Sequence, residues 1–267
     1  MEVIDLAWWK MGLAALLILA LAGVSLYARL GVTRSLLVAA ARTGLQLALI
    51  GLVLEALFAS AQLYWIALLS LIMLLVAGRE VMARQKRRLH GFWAFGVGTG
   101  AMFVSSFAVT ILALTVIIGP NPWYTPQYAI PLLGMMLGNT MTGVALSLDR
   151  LNDSVWSQRA VIENRLMLGQ SWREAIEGIR MEAMRSGMMP SINAMAAAGI
   201  VSLPGMMTGQ ILAGSPPSVA VKYQILVMLL ITVGTGFGTV MAVSWGSRRL
   251  FDDRERLRLD RLVKTGH

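Results

Sequence analysis

Residues 128–150 read YAIPLLGMMLGNTMTGVALSLDR, and residues 189–213 read MPSINAMAAAGIVSLPGMMTGQILA. Each run is apolar and long enough to cross a hydrocarbon core of ~30 Å, which takes about 20 helical residues. Each also carries the same cluster: Gly134, Met135, Met136, Leu137, Gly138, Asn139 in the first, and Gly205, Met206, Met207, Thr208, Gly209, Gln210 in the second. A glycine pair four residues apart occupies one helix face and lets another backbone approach, while a carboxamide in hydrocarbon needs a partner or a wet path. Two readings follow. Either the clusters pack helices, with methionine filling gaps, or Met135, Met136, Asn139, Thr140, Met206, Met207 and Gln210 line a substrate path.

Outward from this pair, apolar windows recur at roughly 7–28, 36–58, 62–78, 92–118 and 219–245, which makes seven spans in all. With 57% hydrophobic and 14% charged residues, the chain reads as an all-α, polytopic integral membrane protein. The first window is too long for the apolar region of a signal peptide and has no basic segment before it, so it reads as a span. Of the 23 basic residues, 20 fall in the segments after the first, third and fifth spans and after residue 247. Seven alternating spans put all of these on one side, and the positive-inside rule makes that side cytoplasmic, with the N-terminus outside and the C-terminus inside. Lys10 and Lys222 lie near outer span ends, where they can snorkel to the interface. The expected organisation is a transmembrane domain over 1–248, a cytoplasmic amphipathic loop over 149–188 within it, and a charged, helical tail over 249–267.

Arg42, Thr43 and Gln46 form a polar strip on the second span, about one turn inside the boundary, and Glu55 lies near its outer end. Arg42 and Gln46 read as a gate or subunit contact, or as snorkelling side chains, and Glu55 as a solvated group or an outer cation contact. Between 152 and 187, Trp172, Ala175, Ile176, Ile179 and Ala183 repeat at helical spacing, with charges between them. This stretch reads either as a solvated helix or as a coupling loop, with Trp172, Ile176, Ile179 and Glu182 carrying motion from a cytoplasmic partner. Pro204 is expected to kink the sixth span. Gly234, Gly236 and Gly238 resemble a phosphate loop in spelling alone, because no strand precedes them; helix packing is the expectation.

Several chemistries are excluded. There is no cysteine, the two histidines are His90 and His267, and no G-x-x-x-x-G-K-[ST] motif occurs. No metal site can be assigned, no catalytic residue is expected, and any ATP must be hydrolysed by another chain. The basic balance is distributed as a topology signal and not as a nucleic-acid surface.

The stretch from Gly134 to Arg150, the stretch from Pro204 to Gln224, and Arg42, Thr43, Gln46 and Leu47 resemble the FetB-type iron-export ABC permeases, a family that includes plant aluminium-sensitivity permeases. The resemblance covers nearly the whole chain. It implies a permease subunit of the bacterial inner membrane, a homodimer among lipids, coupled to a separate cytoplasmic ABC ATPase that supplies ATP hydrolysis, and exporting a metal ion. Against the coupling motif of many ABC importers, Glu182, Ala183, Gly187 and Val201 to Pro204 are wrongly spaced, so that motif is not carried over. Thioethers favour soft ions and ferric iron favours oxygen, so methionines in the path would suit ferrous iron, a chelate or transient contact. The rival from another class is a membrane scaffold or receptor subunit that transports nothing.

Overall fold

The computed structural model describes residues 7–60 and 62–264. It forms two compact units: one runs to Gln62 and takes in Leu212–Gly214, and the other comprises Leu63–Ile211 and the chain from Ser215 onward. The first unit is a hairpin of α1 (Trp8–Tyr27) and α2 (Thr33–Ser60). Arg29 and Gly31 reverse the chain between them with positive φ, and the Thr33 hydroxyl donates to Ser25 Oγ at 2.9 Å.

In the second unit α3 (Leu63–Ala83) runs into β1 (Arg87–Leu89). The next span, Phe92–Ile118, is not uniformly α-helical. It passes from α4 (Phe92–Met102) through a π-helical stretch at Phe103–Phe107, then α5 (Ala108–Leu112), then a second π stretch at Ala113–Ile118. Gly119 in the left-handed region ends it, and the proline-rich turn leads to α6 (Pro126–Ser157). Beyond α6 come α7 (Arg159–Met167), the single turn α8 (Trp172–Ala175), α9 (Glu177–Ala197), α10 (Gly205–Leu212) and α11 (Pro217–Arg249).

Interhelical contacts fix the directions. Met136 packs on Gly234, Thr140 on Gly238 and Leu148 on Gly246, a constant offset along both chains, so α6 and α11 run parallel. Arg150 pairs with Glu182 and Gly143 meets Gly187, with numbers rising on one helix as they fall on the other, so α9 runs antiparallel to α6. Gly78 against Thr99 and Gly98 against Val81 make α3 and α4 antiparallel as well. Because α6 and α11 run parallel, the chain between them has to run back, and it does so through α9.

That return differs from the sequence expectation. Among the described residues six helices are each long and apolar enough to cross a membrane, and the predicted span at 189–213 is not among them. Instead α9 begins at Glu177, outside the apolar window, and stops at Ala197; seven residues intervene before α10. The physical reason is local. Gly199 takes a left-handed φ of 83°, and Pro204 has no N–H to donate back to a carbonyl four residues earlier. The freed backbone bonds within itself, Gly199 N–H donating to the Ser202 carbonyl and Val201 N–H to the Ala197 carbonyl, as buried or membrane-level backbone must. The expected kink at Pro204 is a complete break.

The helical tail is corrected too. From Leu250 the chain turns back, Phe251 bridges to Leu257, and β2 (Leu262–Lys264) pairs antiparallel with β1, Arg88 opposite Val263. Leu257, in that bridge, and Leu259, at the start of a 3-10 turn over Leu259–Arg261, pack against the core, while Arg256 and Arg258 find Asp252 and Asp260.

Candidate functional site

The first cluster splits across two faces of α6. Met136 and Thr140 are buried, and both turn to α11: the Met136 methyl fills the space left by Gly234, and a Cβ on Gly238 would lie 2.6 Å from Thr140 Cγ2. Gly138 and Asn139 are exposed, Met135 and Thr142 are half-buried, and a Cβ on Gly138 would meet nothing. Asn139 Nδ2 donates back to the Met135 carbonyl at 2.8 Å, and Thr142 Oγ1 to the Gly138 carbonyl at 3.1 Å. Asn139 lies 13 residues into α6, about 20 Å along it, and 11 residues before Arg150. Gly138 and Asn139 therefore stand exposed at mid-span, with the half-buried Thr142 beside them.

The second cluster is divided in the same way. Met207 is buried, Met206, Thr208 and Gln210 are half-buried, and Gly205 and Gly209 face open space. The Gln210 Oε1 is buried with no hydrogen-bond partner among the described residues. The clusters are not set against each other as two facing helices. With Gly143 against Gly187, antiparallel numbering puts Ala197, where α9 ends, level with Leu133, so the break begins nearer the start of α6 than Asn139 lies. α6 packs on α3, α9 and α11, and α10 lies alongside no other helix of its unit for any length.

Sequence reasoning missed a seam where α6, α9 and α11 converge. A Cβ on Gly143 would lie 2.7 Å from the Gly187 carbonyl oxygen and 3.2 Å from Thr239 Oγ1. Around it the hydroxyls of Thr140, Thr235 and Thr239 are buried, with no hydrogen-bond partner among the described residues. Ser106 and Thr110, in and after the first π stretch, share that condition. The signal was present in the glycine and threonine spacing of α11, where Gly234 and Gly238 pack helices as expected and Thr235 and Thr239 follow one turn apart.

On α2, Arg42, Gln46 and Glu55 are exposed. Arg42 and Gln46 share a face at i and i+4, whereas Glu55, nine residues beyond Gln46, points to the opposite side of the helix at 3.6 residues per turn.

The predicted amphipathic face closes into the chain. Trp172, Ala175, Ile176, Ile179 and Ala183 are all buried in one core with Leu151, Val155 and Phe251. Trp172 lies 5.6 Å from the Phe251 ring, and its backbone N–H donates to the Glu255 carboxylate at 3.0 Å. Ser171 caps α8 through a capping box with Glu174, and the Ser171 hydroxyl and N–H hold the Glu174 carboxyl below its ordinary range. Glu182 pairs with Arg150 across α6 and α9. Among the apolar side chains that stay exposed at this end, Met167 at the end of α7 and Leu168 just after it are the most open, at 78% and 83%, and Gly169 beside them takes a positive φ.

Among the described residues no three of His, Cys, Asp and Glu come together to hold a metal ion, and Met136, packed on Gly234, is not available as a ligand. The fold and these surfaces define an integral, multi-pass α-helical membrane protein. The chain matches, over residues 8–251, the family described as Uncharacterised protein family (UPF0014), and it belongs to that family. It is 37% identical to a UPF0014 membrane protein of Synechocystis sp. over 95% of this chain and 97% of the relative. It is 31% identical to Protein ALUMINUM SENSITIVE 3 of Arabidopsis thaliana, covering 86% and 82% of the two chains. It is also 29% identical to the Probable iron export permease protein FetB of Escherichia coli, over 96% of each. No solved structure matches the chain.

Proposed function

We propose that this chain is the permease subunit of an ABC-type exporter, working as a homodimer in the bacterial inner membrane with its basic end in the cytoplasm. A separate ATPase supplies the energy. The observation that carries this reading is the exposed pair Gly138 and Asn139 in the middle of α6, with the half-buried Thr142 beside it. A carboxamide and a hydroxyl at mid-bilayer face protein or water and not lipid. A second copy of the chain would close over this pair and leave a polar route between the copies. The discontinuous return through α9 and α10 supports the same reading, because broken helices accompany transport sites. The name of the Escherichia coli relative supports a metal-ion cargo, iron first. Oxygen from Asn139 and Gln210 then serves as a transient contact, with Met135 and Met206 at its margin.

The ATPase docks, in this reading, on the exposed turn at Met167 and Leu168, since the apolar face of Trp172, Ile176 and Ile179 is spent within the chain. Ile179→Pro would break the core before it tested any docking. The reading is tested by reconstituting the chain with a candidate ABC ATPase subunit in vesicles loaded with ferrous iron and ATP. ATP-dependent efflux is expected, and absence of flux for every metal tried would support the rival scaffold.

A further inference from the structure

At the basic end, between the start of α4 and the end of α11, lies a half-open cavity of about 630 Å³. One wall is aromatic and continuous with the membrane-spanning helices: Phe92, Trp93 and Trp245, all exposed. The other wall carries Arg248, Arg249 and Arg261. A smaller cavity of about 270 Å³, closed by Leu89 and His90, shares Trp93, Arg249 and Arg261 with the first.

The charges in the pocket are unevenly satisfied. Its two acids are engaged: Asp253 pairs with Arg248, and Asp252 takes Arg256 from outside together with the backbone N–H groups of Arg254 and Arg256. Among the described residues neither Arg249 nor Arg261 pairs with a carboxylate. Arg249 lies flat on Trp93, its guanidinium carbon 3.2 Å from the ring centroid, and Arg261 Nη1 donates to the carbonyls of Arg249 and Phe251 at 2.8 and 3.2 Å. Those contacts hold in place two guanidiniums that line both cavities. Tryptophan and phenylalanine at a helix end mark the depth of the headgroups, and arginine matches the fork of phosphate oxygens.

We infer that this pocket binds the phosphate of an anionic phospholipid from the leaflet at the basic end, with Arg249 and Arg261 on the phosphate and an acyl chain along Phe92, Gly96 and Trp245. A free phosphate has no use for the exposed aromatic wall, whereas a lipid fills both halves of the site. The inference is independent of what the protein transports. It concerns a place where lipid clamps the folded tail to α4, because Arg261 belongs to the tail and Trp93 to the span.

The test uses the full chain, purified in detergent, with dioleoyl phosphatidylglycerol, dioleoyl phosphatidylcholine or inorganic phosphate added. Retained lipid is read by native mass spectrometry and thermal unfolding by intrinsic fluorescence. Phosphatidylglycerol is expected to be retained and to raise the Tm, with neither phosphatidylcholine nor inorganic phosphate doing so. Arg249→Gln is expected to weaken retention about fivefold or more, as loss of one basic group near a lipid surface does. Arg254→Gln, exposed and outside the pocket, should retain lipid as the parent does. Since Arg261 also holds backbone carbonyls, Arg249→Gln is the primary variant, and Trp245→Ala, which removes apolar wall without charge, should lower retention too. Equal retention of both lipids, equal stabilisation by inorganic phosphate, or an Arg249→Gln chain indistinguishable from Arg254→Gln would each overturn the site.

Discussion

Gly143 and Gly187 meet backbone to backbone, so closely that a Cβ on the first would stand 2.7 Å from the carbonyl oxygen of the second. The contact is rigid on both sides, because the obstacle is main chain and not the end of a flexible side chain. It ties α6 to α9 ahead of the break at 198–204, in the seam that α11 completes through Thr239. Gly143→Ala should therefore push the helices apart and destabilise the unit by about 1–3 kcal/mol, the usual cost of overpacking. Gly138→Ala, whose Cβ meets nothing, should be silent in the same assay. Thermal unfolding of both variants in detergent checks the pair.

Much of this arrangement was legible in the residues, and the parts that were not have physical causes. The face of Trp172, Ala175, Ile176, Ile179 and Ala183 was readable because helical periodicity reports burial directly. What it buries against was not, since the partners Leu151, Val155 and Phe251 come from α6 and the tail. The fold of the tail was not legible because what fixes it, the pairing of Leu262–Lys264 with Arg87–Leu89, joins segments far apart in sequence. The two clusters were legible as special stretches, but their mutual placement assumed one continuous helix, and Gly199 with Pro204 ends that helix between Ala197 and Gly205.

Acid should loosen the tail in a defined direction. The N–H of Arg256, with further bonds from the Arg256 side chain and the Arg254 N–H, holds the Asp252 carboxyl below its ordinary value. A carboxyl whose folded value lies below its unfolded one, about 3.9, contributes stability at higher pH. That contribution falls away as pH drops below the unfolded value and through the folded one. Amide exchange across residues 252–258, corrected for the intrinsic pH dependence, should show protection at pH 7 and 5 that declines below about pH 4. Asp252→Asn should flatten that decline; an unchanged decline would assign it to Asp260, which Arg258 holds low in the same way.

Trp172 and Leu168 should separate structure from coupling. Trp172 is buried against Phe251, so Trp172→Ala should cost about 3–5 kcal/mol, as large aromatic truncations in a core do, and lower Tm with or without a partner. Leu168 is uncovered, and Leu168→Asp should leave Tm unchanged while lowering ATPase stimulation by the permease about tenfold or more, the loss of an apolar anchor at an interface. If Leu168→Asp stimulates the ATPase normally, the docking surface lies elsewhere.

Asn139 and Met136 decide whether the cluster on α6 is a path or a packing device. Their side chains leave the helix on different sides, Met136 into Gly234 of α11 and Asn139 into open space. Met136→Ala should act on stability, by about 2–5 kcal/mol, because it opens a hole at a close helix contact. Met136→Leu, similar in volume, should cost less than about 1.5 kcal/mol and leave flux intact. Asn139→Leu should do the reverse: Tm and dimer formation unchanged, ATP-driven iron efflux down about tenfold or more, since one oxygen contact of ~1.4 kcal/mol on a permeating ion corresponds to that factor. Asn139→Gln, which keeps the oxygen, should retain a measurable part of the flux. Efflux from Asn139→Leu vesicles equal to the parent at matched expression would remove Asn139 from the route and leave both clusters as packing surfaces.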